Sequence, residues 1–410
     1  PDITVVKPVF DDQRQVSFYV ACRGHHADVG GTTPGSMPPY SQSIDEEGVL
    51  INDEYLVRAG QFQESNIREL LGSGRHPARN IDQNIADLKA QLASCEAGVN
   101  AMQRVMGQFG QEVTLAYMDH VLDNAETSLR QLIPSLESGR CQYAMDDGSQ
   151  IQVAIEIDSQ QRLAKLDFTG TSSQHEGNFN APASVTRAAV LYAFRCLLAE
   201  KIPLNEGFLR ALELHIPEGS MLNPKAPAAV VSGNVETSQY LVDSILLALG
   251  KLAGSQGTNN NFTFGNDEYQ YYETLCGGSG AGEGFDGTSA IQVHMTNSRL
   301  TDPEILELRY PVRLRSFAIR RGSGGQGQQL GGDGVVRRIE FLQPMSAAII
   351  SGHRQVPVAG LNGGEAGACG MNRVIRKDGT IEDLQGCDQV AMAVGDLFEI
   401  HTPGGGGYGH

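Results

Sequence analysis

Hydrophobic and polar positions alternate over residues 3–22. They predict two short strands joined by the turn Asp11-Asp12-Gln13-Arg14, with Val16, Phe18 and Val20 on one face. The stretch RGHHADVGGTTPGSMPPYS (23–41) has no period and is rich in Gly, Pro and Ser, so it is read as loop. From 80 to 107 the period lengthens: Ile81, Ile85, Leu88, Leu92, Cys95, Val99, Met102 and Met106 recur at steps of four and three. That stripe is one face of a long amphipathic helix and is read as core. A second helix over about Val113–Ile133 follows the break at Phe109-Gly110, making an antiparallel pair inserted between β-rich parts. Alternation returns over 149–169 around Asp158-Ser159-Gln160-Gln161, a hairpin signal. Helices are expected at 184–200 and 235–252, and a glycine-punctuated β-rich region from 261 onward.

The fold class that follows is α+β, with mixed β-sheets, a long antiparallel helical hairpin insertion and a β-rich C-terminal lobe. The expected divisions are 1–75, 76–140, 141–260 and 261–410. No repeat of 20–50 residues breaks this picture. A length of 410 residues exceeds one average domain, which agrees with more than one lobe.

Charge narrows the partners. Lys and Arg number 31 against 48 Asp and Glu, a formal net charge of −17, so no basic stripe exists to displace counterions from a polyanion. Neither nucleic acid nor an anionic membrane is expected, and no run of 18 apolar residues suggests a membrane span. Seven dispersed cysteines without a CxxC pair predict reduced thiols and a cytoplasmic setting. The chain opens at Pro1 directly in a strand-like run, with neither an initiator Met nor a signal peptide, and the polypeptide or a partner subunit is expected to continue upstream.

Three constellations could carry chemistry. In His25-His26-Ala27-Asp28, imidazole and carboxylate groups can converge on a divalent metal, and Asp2 on the neighbouring strand could join them. The spacing alone leaves open that the imidazoles bond local carbonyls and Asp28 caps a turn. Glycine tracts at 277–282, 320–334 and 403–409 fit no Walker loop; tight turns are favoured for the last two, with anion-binding backbone nests as the other reading. In VHMTNSRLTDPEILELRYP, His294, Asn297 and Arg299 precede a capped helix start at Thr301-Asp302-Pro303-Glu304. Asn234 in SGNVETSQ similarly precedes a helix, where capping is the plainer role. Neither a Gx[SC]xG elbow nor HExxH occurs, and Cys276 is the one thiol placed where reactivity would need testing.

These blocks resemble the B-type component of the hydantoinase/oxoprolinase family over essentially the whole chain. The likeness rests on PDITVVKPVF, RGHHADVGGTTPGSMPP, LDFTGTS with GNFNAP, VSGNVETSQ, YYETLCGGSGAG, HMTNSRLTDPEILELRYPVRL, GSGGQGQQLGGDG and HTPGGGGYG. Within the family the chain looks most like the C-terminal part of 5-oxoprolinases. The resemblance implies ATP-dependent opening of a cyclic amide: an A-type ATPase component or fused domain, holding ATP and Mg, phosphorylates the lactam oxygen, and the B-type component hydrolyses the activated species. It also implies a divalent metal of Zn or Mn type in the B component, with Asp2 and His25 on ligand positions and an upstream His of the same block lying before Pro1. His26, Asp28 and His294 become catalytic candidates, the first two behind the ligands; Asn234, Glu273 and Arg299 become candidates for binding substrate. Tyr40 departs from the family, standing where relatives carry His. An oligomeric assembly is implied as well. The competing expectations are a hydantoinase, another lactamase or a ketone-carboxylase component, and a non-catalytic scaffold for the ATPase.

Overall fold

The computed structural model describes residues 2–11 and 13–410; Asp12 of the expected first turn lies outside them. Strands β1 (Asp2–Phe10) and β2 (Val16–His25) form an antiparallel ribbon. One face of β1, carrying Ile3, Val5 and Val9, is buried. The loop 26–56 leads through the small hairpin β3 (Val57–Arg58) and β4 (Gln61–Phe62) to α1 (Glu64–Leu71).

The helical hairpin is α2 (Ile81–Phe109) and α3 (Gln111–Leu132), broken at Gly110, whose φ of +86° suits a residue without a side chain. Asn80 caps α2 by accepting from the Gln83 amide at 3.2 Å. The predicted stripe is core only in part. Ile85, Leu88, Cys95 and Val99 are buried beside the ribbon, whereas Met102 and Met106 are half-buried and Phe109 is exposed, because the hairpin tip runs past its support. Nor does the hairpin stand alone. Ala125 and Leu129 of α3, with Ile133, enter the core of the next lobe.

That lobe is a sheet of β5 (Gly139–Ala144), β6 (Gln150–Asp158), β7 (Leu163–Asp167) and β8 (Leu212–His215) in that order, with β7 and β8 parallel. Helices α4 (Ala183–Cys196) and α5 (Ser238–Ala248) pack together, and α5 lies on β5 and β6. Both start or stop inside the expected ranges. The residues before α5, Gly233–Thr237, form a π-helical turn.

After α5 come β9 (Asn261–Gly265), β10 (Gln270–Glu273), α6 (Pro303–Arg309), β11 (Val312–Ile319), β12 (Val335–Phe341), β13 (Met345–Ile350), β14 (Met371–Ile375), β15 (Ile381–Leu384), β16 (Cys387–Met392) and β17 (Leu397–His401). They make two sheets, ordered β10-β9-β13-β16 and β11-β12-β17-β14-β15, with a core that includes Phe262, Phe264, Phe341 and Phe398. The architecture is α+β, as expected.

The three glycine tracts lock together backbone to backbone. Gly278 N–H donates to Pro403 O, Gly332 N–H to Ser279 O and Gly405 N–H to Gly332 O, at 2.9–3.1 Å. A Cβ at Gly278 would collide with the Gly332 carbonyl, and one at Gly405 with the Ser279 carbonyl. These amides are spent on each other, so the tracts act as packed turns here, and glycine is required by the closeness of the chains.

Candidate active site

The ribbon register sets the first pair. Asp2 and His25 face each other across β1 and β2, and Asp2 Oδ1 lies 2.5 Å from His25 Nδ1. Burial would raise the Asp2 carboxyl, but the hydrogen bond and charge of His25 outweigh it and hold the group below its ordinary value. Arg23, two residues before His25 on β2, shares this face.

Opposite the ribbon stand α4, the π-helical turn and the segment 294–297. Together they enclose a cleft of about 890 Å³ lined by Asp2, Arg23, His25, Arg187, Tyr192, Asn234 and His294. A narrower hollow of about 330 Å³ continues from the same Asp2, His25 and Asn234 toward Tyr272. Asn234, exposed on the π turn, lines both. That turn sits hard on its neighbour: a Cβ at Gly233 would collide with Asn180 O. The Asn234 side chain is exposed and makes no capping hydrogen bond, so the plainer capping role does not apply. Wide helical turns recur at functional sites, where they displace one side chain from the helix pattern.

His294 is held on the far wall. Its Nε2 lies 2.8 Å from Asp243 Oδ1, and its ring meets Tyr192 edge to face at 5.9 Å. Two turn positions after Asn234 lies a group the sequence reading passed over. Glu236 is fully buried, and its Oε1 accepts from Thr258 Oγ1, Asn259 N and Asn261 Nδ2. Burial dominates these bonds and pushes its carboxyl up to about 8. The available signal was a lone acidic residue at the mouth of the apolar run YLVDSILLAL.

Four expected site residues are not in the cleft. His26 turns the other way, into α2, where Gln91 Oε1 and Asn84 Nδ2 lie 3.1 Å from its two ring nitrogens. Asp28 clamps its own loop, accepting from Gly30 N, Gly35 N and the Arg79 guanidinium. Glu273 sits in the C-terminal core, where Arg337 grips both oxygens at 2.7 and 2.8 Å, so an internal ion pair replaces the expected substrate contact. Arg299 is exposed and makes no hydrogen bond or ion pair among the described residues. Cys276 is buried, and burial pushes its thiol up to about 11, which disfavours a nucleophile. Tyr40 lies elsewhere, donating to Asp388 Oδ1 at 2.8 Å at the mouth of a second cavity of about 400 Å³.

As a metal centre the Asp2–His25 pair is incomplete. One carboxylate and one imidazole suit a Zn or Mn ion chemically, but structural and catalytic zinc sites take three or four protein ligands. Among the described residues no three His, Cys, Asp or Glu converge on such a point. No helix is long and apolar enough to cross a membrane.

Residues 1–410 match the hydantoinase B/oxoprolinase family along their whole length. The chain belongs to this family. It is 46% identical to 5-oxoprolinase 1 of Arabidopsis thaliana and 44% identical to the 5-oxoprolinase of Dictyostelium discoideum, covering all of this chain each time but 34% and 33% of those proteins. The chain thus spans about a third of the length of these relatives. It covers 73% of an uncharacterised protein of Methanocaldococcus jannaschii at 36% identity. The crystal structure of an ATP-dependent caprolactamase from Pseudomonas jessenii superposes with a TM-score of 0.87 at 25% identity, over all of this chain and 74% of that one. Nucleotide-free acetone carboxylase shares the fold, with a TM-score of 0.86 at 19% identity and coverage of all of this chain and 62% of that one.

Proposed function

We propose that this chain is the B-type part of an ATP-dependent cyclic amide hydrolase that converts 5-oxo-L-proline, ATP and water to L-glutamate, ADP and phosphate. The observation that carries the reading is the cleft in which the Asp2–His25 pair, Asn234 and His294 share one set of walls. Relatives named 5-oxoprolinase at 40–46% identity support the substrate.

The chemistry explains the division of labour. An amide carbon resists water because the nitrogen lone pair feeds the carbonyl. Phosphorylation of the lactam oxygen, carried out with ATP and Mg on an A-type partner or fused domain, removes that resistance. The resulting intermediate is anionic, and Arg23 and Arg187 on the cleft walls give it a cationic reception in a chain of net charge −17. Asn234 supplies an amide for the ring substituents. His294 is placed to handle the proton that the ring nitrogen needs when its bond to carbon breaks. His26 and Asp28 act behind the site, fixing the loop that follows His25. With further donors from outside the described residues, Asp2 and His25 would hold a divalent ion, which supplies Lewis-acid polarisation when bound.

The test is glutamate formation by this chain assembled with its ATPase part, in the presence of ATP, Mg²⁺ and a monovalent cation. Formation dependent on 5-oxoproline supports the reading. Turnover of a hydantoin or caprolactam but not 5-oxoproline would replace the substrate, a second reading that the caprolactamase superposition favours. Full activity of a metal-free Asp2→Ala/His25→Ala assembly would reduce the chain to a scaffold.

A further inference from the structure

Glu236 stands in the π-helical turn two residues beyond Asn234, and its side chain is wholly enclosed. All three of its donors belong to one run, Thr258-Asn259-Asn260-Asn261, whose members are themselves buried. From that run the hydrogen bonds continue to separate walls of the cleft. Asn261 Oδ1 accepts from the Tyr272 hydroxyl at 2.8 Å, and Tyr272 lines the narrow hollow beside Asp2 and His25. Asn259 Oδ1 accepts from Thr296 Oγ1 at 2.7 Å, and Thr296 lines the larger cleft two residues after His294. The Asn259 amide also donates to Val235 O, next to Asn234, at 3.2 Å. The run is anchored behind: Asn261 Nδ2 donates to Ile350 O at the end of β13, and the Gly352 amide donates to Thr258 Oγ1.

The other carboxyl oxygen, Oε2, has no partner among the described residues. Arg354 is near enough to act on the charge of Glu236, but its guanidinium donates to Gly352 O, Asn260 Oδ1 and Asn372 Oδ1 instead. The remaining titratable groups facing Glu236 are Tyr240, Tyr272 and Cys387, none of them a cation. A buried carboxyl without a bonded counter-charge is favoured as the neutral acid, in line with its rise to about 8. Since Oε1 already accepts three bonds, the acid hydrogen belongs on Oε2.

We propose that Glu236 is a positioning residue: through the Thr258–Asn261 run it holds Asn234, Tyr272 and Thr296, on three walls of the cleft, in one fixed register. The inference rests on the proposed function, in which Asn234 and His294 must meet the activated ring together. Displacement of such walls by about 1 Å is enough to cost on the order of 100-fold in rate. The neutral acid keeps the three-way acceptor in place without burying an unpaired charge. Its ionisation above about pH 8 would set an uncompensated anion among Tyr240, Tyr272 and Cys387 and loosen the run.

Hydrogen exchange followed by mass spectrometry at pH 7 in the full assembly reads the walls without reference to activity. Glu236→Leu, which keeps the bulk and deletes the acceptor, should speed exchange at least about tenfold in peptides holding 258–262 and 293–297 and leave β6 unchanged. Glu236→Gln offers an oxygen at the same reach and should stay within about twofold of the wild type. In turnover assays Glu236→Leu should lower kcat by about 100-fold, more than it raises KM. Glu236→Gln should recover most of that loss and, having no proton to release, should lack the fall in kcat that the wild type shows above about pH 8. If Glu236→Leu fails to assemble, Glu236→Asp, one methylene shorter, replaces it in both measurements. Wall peptides that exchange at the wild-type rate, an equal rise in β6, or a Glu236→Gln variant as impaired as Glu236→Leu overturns the proposal. Loosened walls with kcat unchanged overturn it as well. An assembly that opens no cyclic amide defeats the proposed function, and the exchange data then still decide whether Glu236 holds the walls.

Discussion

Asp2 and His25 meet at 2.5 Å because they are paired residues in the β1–β2 register, twenty-three positions apart in sequence and adjacent in the ribbon. Their contact depends on strand alignment more than on the local loop. A one-residue slip would send one of them to the buried face that carries Ile3 and Val5.

Asp2→Ala and His25→Ala should each lower product formation by the assembled protein by at least about 100-fold, in the range expected when a group that ligates or polarises is removed. Neither should shift the unfolding midpoint appreciably, since the His25 side chain is largely exposed and such surface pairs contribute little. Turnover assays beside metal analysis check both halves. Loss of bound metal together with activity would identify the pair as ligands.

Glu273 and Arg337 form a buried pair with both partners almost fully enclosed. Glu273→Ala should destabilise by about 3–5 kcal/mol, because it strands a buried guanidinium. Glu273→Leu combined with Arg337→Met should recover most of that loss. Denaturant unfolding of the single and double variants measures it. A substrate-binding Glu273 would instead raise KM and leave stability nearly unchanged.

Glu236 gives stability a pH dependence of definite sign. Its carboxyl stands near 8 when folded against an ordinary 4.5. Between those values the native state holds a proton that the unfolded chain has lost. The contribution is fully favourable below 4.5 and declines as pH rises toward 8, by up to about 1.4 kcal/mol per pH unit. Glu236→Gln should flatten that decline, which denaturant midpoints taken from pH 5 to 8 would register.

Gly405→Ala should lose the C-terminal lobe's protection, because the added methyl must displace the Ser279 carbonyl and the Gly280 amide beside it. A cost above about 4 kcal/mol is expected from backbone strain of this kind. Limited proteolysis should then cut within 262–400 while the lobe holding α4 and α5 persists.

Much of the fold was legible because periodicity reports which face is buried. The ribbon, both long helices and the 149–169 hairpin follow from it, and Asp2, His25, Asn234 and His294, which stand at strand and helix ends in the sequence pattern, line one cleft. What periodicity misses is direction at a loop. His26 is adjacent to His25 yet points into α2, since the strand ends there and Asn84 and Gln91 capture the ring. Glu273 follows the same logic: alternation marks β10 as a strand but cannot say that its carboxylate meets an arginine 64 residues later. The π turn is equally invisible, and Gly233 within it packs closely on Asn180, a contact between distant segments.

The interlocked glycine tracts also bear on how the chain is made. Residues 403–409 run between loops centred near 279 and 332, accepting from the first and both donating to and accepting from the second. Those loops leave the ribosome well before 403–409, and the amides of Gly278, Ala281 and Gly325 find their acceptors only when that segment emerges. Synthesis therefore passes through a stage in which the C-terminal sheets are complete in sequence but not clasped. The pace of that final step, governed by contacts of high sequence separation, should limit how fast the lobe matures.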